Sequence, residues 1–142
     1  MARKEIKTST IIDATPNRIW DILTNFSKYS DWNPFLLSVE GNLIEGQHLK
    51  INAGGMKFQP EILVVKENQE LRWKGKLLFK GLFDGEHKFH IIDNKDGTST
   101  FKQEELFTGL LVGLFAKKLD NETKHGFEAM NQKLKELAEK RF

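Results

Sequence analysis

The chain has 142 residues, 22 basic and 20 acidic, with a formal charge of +2. That is enough for one domain with its own core, and too small a positive surplus for the concentrated basic face of a nucleic-acid binder. There is no cysteine, which excludes disulfides, thiolate metal sites and thiol nucleophiles.

Residues 4–12 read as a strand, with Ile6, Thr8, Thr10 and Ile12 on one face. Thr15 is placed to cap a helix, and Pro16 suits its first position because a missing N–H is no loss there. The spacing of Ile19, Trp20, Leu23 and Phe26 predicts a helix over about 16–25. A short helical turn follows and stops before Pro34, because the residue ahead of a proline avoids helical geometry.

Between residues 35 and 107, runs rich in Val, Ile, Leu and Phe alternate with turn residues. They predict six strands, near 36–44, 47–53, 57–66, 70–79, 83–93 and 98–108. Short connections favour an antiparallel meander. The clearest hairpin turns at Asn94-Lys95-Asp96-Gly97. A register with Ile91 opposite Phe101 sets His87 opposite Glu105 and puts the odd-numbered residues of both strands on one face. The basic residues Lys57, Lys66, Arg72, Lys74, Lys76 and Lys80 alternate with apolar neighbours and read as a solvated sheet face.

One long helix is expected over about 112–140, with Phe115, Leu119, Phe127, Met130, Leu134, Leu137 and Ala138 as its apolar stripe. The stripe thins at Thr123 and Gly126. A glycine inside a helix costs about 1 kcal/mol relative to alanine, so it marks either open space or close approach of a bulky ring. No repeat, low-complexity tract or linker interrupts the chain, and residues 1–142 are expected to form a single domain.

The aromatic set is 11 Phe, three Trp and one Tyr, rings with few polar handles that either fill a core or line an apolar pocket. Trp32, Phe58, Trp73, Phe79, Phe83 and Phe115 are candidates for a pocket wall, whereas Trp20 reads as plain core. Gly75, between large residues, marks a bend or an open volume. His87 and Glu105 fall among Phe89, Phe101 and Phe107 on the inward face, with Gln103 in the same row. Such a pair can satisfy itself structurally, orient a ligand, or act as general acid and base. His48, His90 and His125 share no short motif, so no metal site is expected. The apolar segment 109–115 can gate a cavity, contact a partner, or pack as a helix start.

The order of elements, a strand, two short helices, six strands and a long helix, resembles the helix-grip fold of the START-like (SRPBCC) superfamily, and more narrowly its polyketide cyclase/dehydrase-like branch. The resemblance is carried jointly by Ala14-Thr15-Pro16 with Trp20, Trp32-Asn33-Pro34, Leu71-Arg72-Trp73-Lys74-Gly75, Gly85-Glu86-His87-Lys88-Phe89, Gly97-Thr98 and Glu105-Leu106-Phe107-Thr108-Gly109-Leu110-Leu111, over about residues 5–138. It implies an α+β fold: a curved seven-stranded antiparallel sheet wrapped around a long C-terminal helix, with two short helices between the first and second strands. Ala53-Gly54-Gly55-Met56 is shorter than the glycine-rich loop of the pollen-allergen branch, which weakens any analogy to plant hormone receptors.

The function so implied is binding of a small hydrophobic ligand (a lipid, polyketide or aromatic compound) between sheet and helix. Its expected contacts are Trp32, Phe58, Trp73, Phe83, His87, Phe89, Phe101, Gln103, Glu105, Phe107, Phe115, Thr123, Gly126, Phe127 and Met130. The alternatives are a cyclase/dehydrase-type enzyme using His87 and Glu105, and a co-chaperone-like interaction module. No cofactor, metal, nucleic-acid partner or stable membrane insertion is expected. A cytoplasmic location and a monomer or weak homodimer complete the expectation.

Overall fold

A computed structural model of the chain describes residues 3–76 and 83–140. Strand β1 (Arg3–Ile12) is followed by helix α1 (Pro16–Thr24), a single 3-10 turn (Phe26–Lys28) and the short helix α2 (Tyr29–Trp32). The Thr15 hydroxyl accepts from Arg18 N, the cap expected from the sequence, with Pro16 just inside the helix.

Seven strands follow: β2 (Leu36–Glu40), β3 (Lys50–Ala53), β4 (Met56–Phe58), β5 (Glu61–Lys66), β6 (Glu70–Lys76), β7 (Asp84–Asp93) and β8 (Ser99–Thr108). They form two antiparallel sheets rather than the single seven-stranded sheet expected: a five-stranded one in the order β1-β8-β7-β6-β5, and a three-stranded one in the order β2-β3-β4. The division falls at Gln59-Pro60, inside the predicted strand 57–66. Proline cannot donate to a ladder, so the run splits into β4, paired with β3, and β5, paired with β6. Gly75 lies beneath the break. A Cβ there would meet Pro60 Cβ at 3.2 Å and Phe58 Cδ2 at 3.3 Å, so this glycine serves close approach and not open volume. A bridge between His48 and Glu61, with Leu49 N donating to Pro60 O at 3.0 Å, joins the two sheets.

The β7–β8 hairpin has the register read from its turn, with His87 opposite Glu105 and Ile91 opposite Phe101. On the outer face of β6 and β7, Arg72 pairs with Glu70 at 2.9 Å and with Glu86 at 3.2 Å, and Lys88 with Glu104 at 3.7 Å.

The C-terminal helix is not continuous. A 3-10 turn (Gly113–Phe115), a short helix α3 (Ala116–Lys118) and a π turn (Leu119–Thr123) precede the regular helix α4 (Lys124–Ala138). Among the described residues, no helix is long and apolar enough to cross a membrane. The main core lies between α1, α4 and the sheets, and holds Ile12, Ile19, Trp20, Leu71, Trp73, Phe89, Phe101, Met130 and Leu134. A smaller cluster of Ile6, Phe83, Phe107, Val112, Leu119 and Phe127 lies at the other end.

Tyr29 is fully buried in the main core, and its hydroxyl donates to the carbonyl of Leu23. Burial pushes its phenol well above its ordinary value. The folded chain therefore keeps a proton that the unfolded chain releases above about pH 10, and stability falls as pH rises past that point. Tyr29→Phe is expected to cost about 1–3 kcal/mol near neutral pH by leaving a buried carbonyl unpaired. It is also expected to flatten the alkaline fall, which urea unfolding from about pH 8 to about pH 11 would measure.

Candidate functional site

A cavity of about 420 Å³ opens between the second core cluster, the three-stranded sheet and the irregular start of the C-terminal helix. Phe83, Phe107, Phe115 and Leu119 form apolar wall, and His87, Glu105 and Thr123 supply polar lining. Lys118 and Glu122, both exposed, lie at its mouth.

Local sequence explains how these groups arrive. Period-two alternation brings His87, Glu105 and Phe107 to the inner face of β7 and β8. Asn33, just before Pro34, folds its side chain forward: Oδ1 accepts from Phe35 N at 3.0 Å and Leu36 N at 2.9 Å. That turn aims Phe35 at α4, where its ring meets Phe127 edge-on at 5.3 Å between centroids. Gly126 allows the approach, because a Cβ there would collide with the Phe35 ring. That mid-helix glycine packs closely against a bulky ring and also borders the cavity.

His87 is 3% exposed and sits in an aromatic cage, with ring centroids 5.4 Å from Trp73, 4.6 Å from Phe89 and 5.0 Å from Phe127. Its Nδ1 lies 3.0 Å from Glu105 Oε1, and its Nε2 3.0 Å from Gln103 Oε1. Gln103 Nε2 donates to Asn131 Oδ1 at 2.7 Å and to Phe127 O at 3.3 Å. Asn131 Nδ2 donates to Thr8 Oγ1 at 2.8 Å, and the Thr8 hydroxyl donates to Gln103 O at 2.8 Å. One buried chain thus runs from β1 through α4 and β8 to the cavity wall. Each link up to Glu105 Oε1 is paired, the condition under which a buried polar network is tolerated.

Of the residues singled out from sequence, Phe58, Phe83, His87, Glu105, Phe107, Phe115, Thr123 and Gly126 line the cavity. Trp73, Phe89, Phe101, Phe127 and Met130 do not: they are fully buried, packed solid between sheet and α4. Gln103 is buried within the polar chain. Trp32 lies away from the cavity, edge-on to Tyr29 at 5.3 Å. Phe79 falls outside the described residues. The cavity also takes Phe35, Leu36, Ala53, Met56 and Leu119, which the sequence reading did not assign to it. Asn131 was missed as well, although a lone amide at i+4 from Phe127 inside an apolar stripe is a visible signal. In the segment 109–115, Val112 is buried whereas Leu110 and Leu114 are 73% and 78% exposed. Among the described residues, no three His, Asp or Glu side chains converge to hold a metal ion.

The family model described as polyketide cyclase / dehydrase and lipid transport matches residues 3–139. Against the curated proteins the chain has no match. Several solved structures share the fold. A hypothetical protein of Helicobacter pylori is 16% identical, with a TM-score of 0.81 over 95% of this chain and 88% of that one. A START superfamily protein of Mycobacterium smegmatis is 19% identical, with a TM-score of 0.69 over 94% of this chain and 98% of that one. The di-domain ARO/CYC protein BexL of the BE-7585A biosynthetic pathway is 12% identical, with a TM-score of 0.78 over 99% of this chain and 51% of that one.

Two substitutions probe the construction. Gln103→Leu leaves His87 Nε2 and Asn131 Oδ1 without their partner and removes the second donor to Phe127 O. It is expected to destabilise the fold by about 1–3 kcal/mol or more, since each orphaned buried group carries a cost of that order. Gly126→Ala should gain about 1 kcal/mol of helix propensity and lose about 1–3 kcal/mol to overpacking against Phe35. A net loss in chemical denaturation is expected, and a net gain would show that the Phe35 ring has room to retreat.

Proposed function

The chain belongs to the polyketide cyclase/dehydrase and lipid transport family, and on that premise we propose that it binds a small hydrophobic molecule in the cavity between sheet and C-terminal helix. The observation that carries this reading is the cavity of about 420 Å³, which falls within the roughly 300–1,000 Å³ usual for small-molecule sites. Its aromatic and aliphatic wall supplies burial at about 25 cal/mol per Å² of apolar surface. One buried polar pair within that wall supplies orientation.

A panel of fatty acids, sterols and aromatic polyketides tests the reading by thermal shift and native mass spectrometry. A bound member is expected to stabilise the fold by about 2.7 kcal/mol at a free concentration about 100-fold above its Kd. Failure of the whole panel to stabilise the protein or to travel with it would sink the proposal.

A second reading is a cyclase/dehydrase-type enzyme, favoured by the position of His87 and Glu105 at the cavity wall. There the pair would take a proton from a bound substrate and return it. His87→Ala separates the two readings. An enzyme loses turnover while ligand affinity is largely kept, whereas a carrier loses affinity or changes little.

A further inference from the structure

The orientation of one buried amide fixes the proton count of the cavity wall. The carbonyl of Phe127 can only accept, so the Gln103 side chain must turn its nitrogen toward it, at 3.3 Å. The same nitrogen donates to Asn131 Oδ1 at 2.7 Å. Gln103 Oε1 is thereby committed to His87, and only a protonated Nε2 satisfies the 3.0 Å contact.

His87 Nδ1 then meets Glu105 Oε1 at 3.0 Å, and that contact requires a single proton between them. Whichever atom carries it, the pair has no net charge, and the second carboxyl oxygen, Oε2, is an acceptor. Oε2 lies over Gly85, where a Cβ would collide with it. Among the described residues no hydrogen bond to it forms, and the Phe107 ring beside it cannot supply a donor.

Resting on the reading of this cavity as a ligand site, we infer that its ligand carries a neutral hydroxyl, an alcohol or phenol, on its buried end, which donates to Glu105 Oε2. An ether offers Oε2 no donor. A carboxylate sets acceptor against acceptor and buries a charge among aromatic rings beside a pair that carries no net charge. Lys118, the lysine that lines the cavity among the described residues, is exposed at the mouth, so an anionic group is held there and not within.

Naphthol, its methyl ether and naphthoate, titrated by calorimetry into the wild-type protein, Glu105→Gln and Glu105→Leu, test this. Glu105→Gln keeps an acceptor at the same place, because its amide nitrogen donates to His87 Nδ1 and leaves its oxygen facing the cavity. Naphthol is expected to bind about tenfold or more tightly than the ether in the wild-type protein and in Glu105→Gln. The preference should vanish in Glu105→Leu. Equal affinities for naphthol and ether in the wild-type protein, or naphthoate binding tightest, would overturn the inference while leaving the cavity a ligand site. Binding of none of the three would overturn the ligand-site reading and this one with it. Should Glu105→Leu fail to fold, the wild-type and Glu105→Gln titrations decide alone.

Discussion

The side-chain amide of Gln103 is the central buried point at which the five-stranded sheet and the C-terminal helix are held in one relative position. It uses its oxygen on His87 and its nitrogen on the α4 backbone and Asn131. Hydrophobic contact alone is non-directional and would tolerate sliding of the helix over the sheet. A buried amide with every donor and acceptor engaged does not, because each displaced link leaves an unpaired group in a low-dielectric interior. On one side of Gln103 the interior is solid, with Phe89, Phe101, Met130 and Leu134 close-packed. On the other side it opens into the cavity. The polar chain separates the two regions and presents its end, Glu105, to the open one.

The parts of this arrangement set by local chemistry were legible in the sequence. The turn at Asn94–Gly97 and the two-residue strand period together determine that His87 faces Glu105. The Thr15–Pro16 start of α1 needs only the capping rule. Pro60 also carried a readable signal, since a proline inside an apparent strand argues for a division there, yet the run 57–66 reads as one strand when apolar periodicity alone is followed. What periodicity cannot supply is which distant segments meet. Phe35 reaches α4 because Asn33 folds the backbone after α2, and the partner glycine lies 91 positions away at Gly126. Asn131 finds Thr8 and Gln103 only once sheet and helix are docked.

Aromatic content by itself does not distinguish solid core from cavity wall. Phe83 and Phe107 line the opening, whereas Phe89 and Phe101 are interlocked, although the same alternation places all four. The helix makes the difference. Every helical residue that lines the cavity, from Phe115 to Gly126, precedes Phe127, and all but Gly126 belong to the 3-10, short α and π stages ahead of α4. A regular helix repeats its apolar face every 3.6 residues and can interlock with a sheet over its whole length. A segment that passes through tighter and wider turns in succession changes its angular step at each one, so its side chains do not form one continuous ridge. From Lys124 onward the step is regular, and Phe127, Met130 and Leu134 pack without a gap. The irregular turns between Gly113 and Thr123 keep the interior open, and the solid end beyond Gln103 supplies the packing that the open end gives up.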